Sequence, residues 1–345
     1  MHNSMASPIA QSFQITSVNL ATNDLAYNFT TQEYLASVSS TAGFGIGNTI
    51  TRISNQGQIV QSTFVGSEPG IIALSSDGTT GYVALKGSPS VRQFDAITGA
   101  AGIQFGLGST WNGAMYAEDI AVAPGQNDTI AVARRNSCCS PRHEGVAIYK
   151  NGVMLPATTP SHTGSNTIEF GANASTLYGY NNETSDFGFR TMSVNASGVS
   201  ITTLATGAFY GYSPTITYDG GLMYSNDGRV VDPTNGLLLG TFNIGYGSVF
   251  ASAAKWGHAY ALSSSGVLTV FDQATFTPIT TYSLGNQLNV GSGLSELIVG
   301  DNGDLAVRTT DRIYLLSAVP EPSTYFMWMA GFVFMALGVR KHRTR

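Results

Sequence analysis

The sequence predicts an all-β fold: a seven-bladed β-propeller closed by an N-terminal strand and followed by a single C-terminal transmembrane helix. Three observations carry this expectation. Short β-type segments centred on Leu35, Val83, Ala131, Tyr178, Met223, Tyr260 and Ala306 recur at intervals of roughly 37 to 48 residues, in the range of propeller blades. The last unit lacks a fourth strand, whereas a spare strand precedes the first. Charged residues make up 11% of the 345, against roughly 25% in ordinary soluble domains, and 40 are glycine, a turn-rich β composition.

Most of the seven segments follow an apolar strand and a polar turn. The clearest case is Ile71 to Ser75, then Ser76-Asp-Gly-Thr-Thr-Gly81, then Tyr82 to Leu85, where Asp-Gly supplies a tight hairpin. Third strands with partial apolar and polar alternation are expected at Asn48 to Ser54, Ser90 to Ala96, Glu144 to Lys150, Phe189 to Asn195, Gly228 to Thr234, Gly266 to Asp272 and Asp311 to Ser317. A fourth strand closes the first six units, as in Gln58 to Val65, Leu237 to Ile244 and Ile279 to Leu284. Phe13 to Leu20 is the spare strand; donated as the outer strand of the seventh unit, it closes the ring and leaves no open seam. A pair of β-sandwiches is the rival architecture, but it does not account for seven near-equal spacings. Domain boundaries follow: 1–10, 11–318 for the propeller and 319–345 for the tail.

Several turns, Ser76-Asp-Gly with Tyr82-Val, Phe94-Asp-Ala-Ile-Thr-Gly99 and Val270-Phe-Asp-Gln-Ala-Thr275, resemble the YVTN type of propeller repeat. WD40 signatures are absent, since Trp256-Gly-His258 has neither their order nor their spacing.

The C-terminus has three blocks: Val319-Pro-Glu-Pro-Ser-Thr324, the uncharged apolar run 325–339, and Arg340-Lys-His-Arg-Thr-Arg345. Fifteen helical residues span about 22 Å, short of the roughly 30 Å hydrocarbon core, so the flanks decide the reading. Ser323 and Thr324 extend the helix, the basic side chains snorkel, and modest thinning costs little. Arg340, Lys341, Arg343 and Arg345 then stay cytoplasmic, and everything before Pro320 lies outside. The alternatives are a buried C-terminal helix of a soluble domain and a permanent single-span anchor.

This tail closely resembles the PEP-CTERM sorting signal of Gram-negative bacteria, through Val319, Pro320, Glu321 and Pro322, the apolar helix and the basic end. The resemblance implies recognition by an exosortase, a membrane cysteine peptidase that cuts at the tail and releases or transfers the body. Its family typically occurs with exopolysaccharide production. Export implies a signal peptide, yet Met1 to Gln14 holds no apolar stretch. Ala6 to Ala10 reads either as the small-residue end of such a peptide, left by a start codon placed too far downstream, or as a flexible tail.

The remaining chemistry is sparse. A net charge of -5 and a pI near 5.5 exclude the basic stripe that nucleic acid requires. Cys138 and Cys139, adjacent and alone, cannot staple a long loop or build a zinc site. They lie in Arg134-Arg-Asn-Ser-Cys-Cys-Ser-Pro-Arg-His-Glu144, where three readings stand: a solvated surface loop, which is favoured, a vicinal disulfide, or a thiol pair activated by Arg135, Arg142 and His143. His143, His162 and His258 show no metal-ligand spacing. Asp301-Asn-Gly-Asp304 reads as a hairpin turn, because the twelfth position of a calcium loop falls on Arg312. Glu118-Asp119 is favoured as a solvent-facing pair over a channel-facing one, and neither a hydrolase elbow nor a nucleotide loop occurs. No metal or other cofactor is expected.

The leading expectation is therefore an exported, non-enzymatic binding or structural module at the cell surface or in the extracellular matrix. Its expected partners are an exosortase, the membrane through residues 325–339, and polysaccharide or another surface protein. The rivals are a lyase or lactonase working at the channel mouth, which needs His, Glu or Arg side chains converging near the axis, and a redox protein using the cysteine pair.

Overall fold

The computed structural model describes residues 12–290 and 293–319. The expected remnant at 1–10, residues Pro320, Glu321 and Pro322, the helix at 325–339 and the basic residues Arg340, Lys341, Arg343 and Arg345 lie outside them. Among the described residues no helix is long and apolar enough to cross a membrane.

Seven four-stranded antiparallel sheets form the body, as the spacing predicts. From the axis outward, blade 1 is Asp24–Asn28, Glu33–Val38, Thr49–Ser54 and Ile59–Phe64. Blade 2 is Pro69–Leu74, Thr80–Leu85, Ser90–Asp95 and Ala101–Gly106. Blade 3 is Tyr116–Val122, Thr129–Arg135, His143–Lys150 and Val153–Met154. Blade 4 is Thr167–Phe170, Thr176–Tyr180, Phe189–Asn195 and Gly198–Ala205. Blade 5 is Ile216–Asp219, Leu222–Ser225, Arg229–Asp232 and Leu237–Thr241. Blade 6 is Val249–Ala253, His258–Leu262, Val267–Asp272 and Pro278–Ser283. Blade 7 takes Leu294–Val299, Leu305–Thr309 and Ile313–Val319 from the end of the chain and Ser12–Val18 from its beginning. The closing strand pairs from Ser12 opposite Val319 to Val18 opposite Ile313, so the ring has no seam. Val319, the first residue of the expected sorting block, thus also ends the last strand.

Packing explains why alternation along the strands is only partial. The core divides into seven clusters among the described residues, one at each junction between neighbouring blades. In Thr129–Arg135, Ala131 and Ala133 pack toward blade 4, whereas Ile130 and Val132 pack toward blade 2. Both faces of a second strand are therefore covered, and its sequence reads as a continuous apolar run. Fourth strands such as Ile59–Phe64 have one face to solvent, hence their Thr, Ser and Gln content.

Turn chemistry fixes the hairpins. Asp77 Oδ1 accepts bonds from Ser75 Oγ at 2.7 Å and Thr79 N at 3.0 Å. Asp95 Oδ1 accepts from Ile97 N and Thr98 N at 2.9 and 2.7 Å, and Asp232 and Asp272 repeat this Asx geometry toward Thr234 and Thr275.

One departure from expectation is the fourth strand of blade 3, only two residues long. The exposed edge of His143–Lys150 is covered instead by the following loop, through Leu155 N to Ile148 O at 2.8 Å and Thr159 N to Val146 O at 3.0 Å. Thr159 Oγ1 also accepts Val146 N–H at 2.7 Å, a side-chain bond that no strand pattern announces.

Strand direction sorts the connections onto two faces. Links from second to third strands, and from each fourth strand to the next blade, share one face and include the long loops 39–48, 107–115, 136–142, 155–166, 181–188, 206–215 and 242–248. The other face carries mostly short turns. Ile313–Val319 runs toward that short-turn face, so the chain leaves the propeller there.

Candidate functional site

Three arrangements compete for the site: the axial cavity, the cysteine loop and an aromatic cleft on the long-loop face. The cavity measures about 450 Å³ and is lined mainly by first-strand residues of blades 5, 6, 7 and 1, with Tyr224, Ser225 and Arg308 from second strands; Asp24, Glu296 and Arg308 are its charged members. Arg308 Nε donates to Glu296 Oε2 at 2.9 Å and its Nη1 to Thr22 O at 3.2 Å. Burial raises the pKa of both Asp24 and Glu296, and the charge of Asp24 adds to the effect on Glu296 against the pull of Arg308. Two carboxyls facing one guanidinium retain a proton above the ordinary carboxylate range.

Glu118 and Asp119 lie outside the lining of that cavity, on the first strand of blade 3, but both are partly buried and Asp119 feels the charge of Asp24, which corrects the expectation of a solvent-facing pair. Burial pushes Asp119 up to about 7, opposed by the Ile168 and Ile120 N–H groups and reinforced by Asp24 and Glu118. Glu169, on the neighbouring first strand, is raised by burial and then by Asp119. The physical reason is position: Tyr116–Val122 is the first strand of blade 3, and there Asp119 accepts Ile168 N–H from blade 4 while Glu118 accepts from Asn166.

These acids have structural work. Asp24 Oδ2 accepts Ile72 N–H at 2.7 Å, Asp119 Oδ2 accepts Ile168 N–H at 2.8 Å, and Asp219 Oδ2 accepts Ala254 N–H at 2.8 Å. The first two bonds latch a blade to the first strand of the next, and the third latches blade 5 to the turn Ala254–Trp256 that follows the first strand of blade 6.

The cysteine segment is not the solvated loop favoured from sequence. Arg134, Asn136, His143 and Glu144 are buried, and Arg134–Arg135 and His143–Glu144 are strand residues. Only the tip, residues 137–140, is exposed. Asn136 Oδ1 accepts the N–H groups of Cys138 and Cys139, both at 2.9 Å, and its Nδ2 donates to Glu144 Oε1 at 2.9 Å. Asn112 Nδ2, from the hairpin of Ser109–Thr110 and Gly113–Ala114, donates to the same oxygen at 3.1 Å. Burial works against charge on Glu144, but the Asn112 and Asn136 bonds outweigh it and lower its pKa.

The sulfurs of Cys138 and Cys139 lie 1.98 Å apart, the spacing of a vicinal disulfide. Two of the three cations expected to activate a thiol are otherwise committed. Arg142 Nε donates to Glu183 Oε1 at 3.1 Å. His143 is 1% exposed, and burial lowers its pKa to about 3, so it is neutral. Glu183 also accepts the backbone N–H groups of Arg142 and His143 and a bond from Asn166, whose Nδ2 reaches Glu118 Oε2 at 3.0 Å.

The third arrangement was not singled out from sequence. A cleft of about 850 Å³ lies between loops 206–215 and 242–248 and is walled by Tyr210, Tyr212 and Tyr246. Phe187 is buried beneath two of these rings, 4.7 Å from Tyr210 and 4.9 Å from Tyr212 between centroids. Tyr180 Oη donates to Gly211 O at 2.8 Å and Asn182 Nδ2 to Pro214 O at 3.1 Å, which pins the loop. The available signal was aromatic residues inside Gly- and Ser-rich connections, Tyr210-Gly-Tyr-Ser-Pro214 and Gly245-Tyr-Gly247.

The other singled-out residues stay apart. Asp301 lies in the turn Asp301–Gly303, and Asp304 Oδ1 accepts Ala318 N–H at 2.8 Å. His258 is buried in blade 6, whereas His162 is exposed beside His143 through the bond from its own N–H to His143 O at 2.9 Å. Among the described residues no group of three or more His, Cys, Asp or Glu side chains is placed to hold a metal ion.

Comparison with known families finds the PEP-CTERM protein-sorting motif at residues 318–343. No curated protein matches the chain. The molecule is therefore an exported seven-bladed propeller carrying an exosortase sorting tail. As the motif implies, it is an exosortase substrate, and the propeller is its cargo.

Proposed function

We propose that the body is a non-enzymatic binding and structural module displayed at the cell surface or in the extracellular matrix after processing. The observation that carries this reading is the exit of the chain at Val319 on the short-turn face, immediately before Pro320, Glu321 and Pro322. A tail attached there leaves the long-loop face unobstructed. Before processing, a helix at 325–339 holds the precursor in the membrane, with Arg340, Lys341, Arg343 and Arg345 on the cytoplasmic side. Polysaccharide or another surface protein is the partner of the displayed body. In that exported setting Cys138 and Cys139 remain joined and close the tip of their loop.

The test is cell fractionation with an extracellular protease. The reading predicts that the wild-type body is reached from outside and leaves the membrane fraction, while a Pro320→Ala, Glu321→Ala, Pro322→Ala variant stays membrane-bound. A wild-type body protected inside the cell contradicts it.

A second reading, a lyase or lactonase at the channel mouth, is favoured by the raised pKa of Asp119 and of the Asp24–Glu296 pair. It predicts lactone or polyuronate turnover that Glu296→Gln abolishes. The latching bonds made by Asp24 and Asp119 supply a structural reason for these acids without turnover.

A further inference from the structure

On the reading of the body as a displayed binding module, we infer that the cleft between loops 206–215 and 242–248 binds an uncharged polysaccharide by stacking its sugar rings on Tyr210, Tyr212 and Tyr246. Tyr210 is 66% exposed, Tyr212 63% and Tyr246 fully so, although each is a large aromatic side chain. Three such rings around one cleft have no part in holding the fold beyond covering Phe187. Tyr246 sits between Gly245 and Gly247, at φ +78° and +74°, a left-handed backbone open to glycine. That tip lifts the ring into solvent.

The chemistry of the walls selects the occupant. The electron-rich face of a tyrosine ring attracts the polarised C–H groups on one side of a pyranose, and its rigid ring loses little entropy on contact. Side-chain amides and a carboxylate from Asn226, Asn243 and Asp227 stand among the rings, matched to hydroxyl groups. The lining contains no Lys, Arg or His, and its one carboxylate, Asp227, is paired with Arg229 outside the lining, Nε to Oδ2 at 3.7 Å, so the walls offer an anionic polymer no cation of their own. Loop 206–215 is already pinned by Tyr180 and Asn182, so two of the rings are preorganised. The cleft volume falls within the range of ligand sites that hold several rings of this size. Its position on the long-loop face, opposite the exit at Val319, keeps it accessible to a polymer outside the cell.

The experiment is calorimetric titration of the full chain in detergent solution with cellohexaose, mannohexaose and β-1,4-galactohexaose, and with hexagalacturonate and a proline-rich decapeptide. At least one neutral hexasaccharide should bind, with Tyr246→Ala weakening it about tenfold or more and Tyr246→Phe staying within about twofold of wild type. Because the Tyr246 ring is fully exposed, its loss leaves the core intact, which circular dichroism checks. Absence of binding to all three neutral sugars, unchanged binding in Tyr246→Ala, or tighter binding of the polyuronate or the peptide would overturn the inference. Retention of the processed body on the cell surface separates the two claims. Reduced retention in Tyr246→Ala without any sugar binding overturns the glycan and leaves the display reading standing, whereas a body that never reaches the surface overturns display itself.

Discussion

Asp119 accepts a backbone N–H from the next blade while lying in the field of Asp24 and Glu118, and that environment sets the pH behaviour of the fold. Its folded pKa, about 7, lies above the unfolded value near 4, so the native state binds more protons than the unfolded chain across that interval. Stability from this group is complete below pH 4 and is lost as pH rises through 7; the raised Asp24–Glu296 pair acts in the same direction. The turn carboxylates Asp95, Asp232 and Asp272 are lowered by bonds from Thr98, Thr234 and Thr275, so their contribution is lost as pH falls below about 4. Urea denaturation should therefore show greater stability near pH 5 than near pH 8. Asp119→Asn, which keeps the acceptor for Ile168, should flatten that slope. A second residue-scale prediction concerns Glu183, which gathers donors from Arg142, His143 and Asn166: Glu183→Ala should cost about 2 kcal/mol in the same assay by leaving them unpaired. Asp119 was visible in the sequence, but its direction was not. Its burial depends on the partner it meets, the Ile168 N–H of the next blade, a residue 49 positions away that no local pattern connects to it.

At the scale of elements, the repeat was legible because each second strand is buried on both faces and stands out as an apolar run between turns. The segments centred on Leu35 through Ala306 all fall in second strands. The donated strand was legible by elimination, since the seventh unit lacked a partner for Ile313–Val319. Less legible were the edge of blade 3 and the cysteine loop, because both depend on side-chain bonds, from Thr159 and Asn136, between residues distant from any periodic signal. Removing residues 1–18 tests the closure. It strips Val18 from the core together with Phe13 and Ile15, which pack against blades 6 and 7, and exposes the edge of Ile313–Val319. Size-exclusion chromatography should then show higher oligomers and thermal melting a lower, broader transition; a monomer with unchanged melting would contradict the role given to this strand.

For the whole molecule, the two faces differ in kind. One gathers the long connections and the tyrosine cleft, and the other carries short turns and the exit toward the sorting motif at 318–343. The division follows from strand direction alone, so it was implicit in the sequence once blade order was known. The chemistry of the long-loop face was not, because aromatic residues in Gly-rich connections carry no periodicity and acquire meaning only when two loops meet. On the proposed function, the tail is a processing address that leaves this face on display. Mass spectrometry of the mature protein from cells with and without the exosortase, locating its C-terminus, tests that directly. A chain ending near Pro320 in the presence of the peptidase and at Arg345 in its absence is the predicted result; an intact Arg345 terminus in both would contradict it.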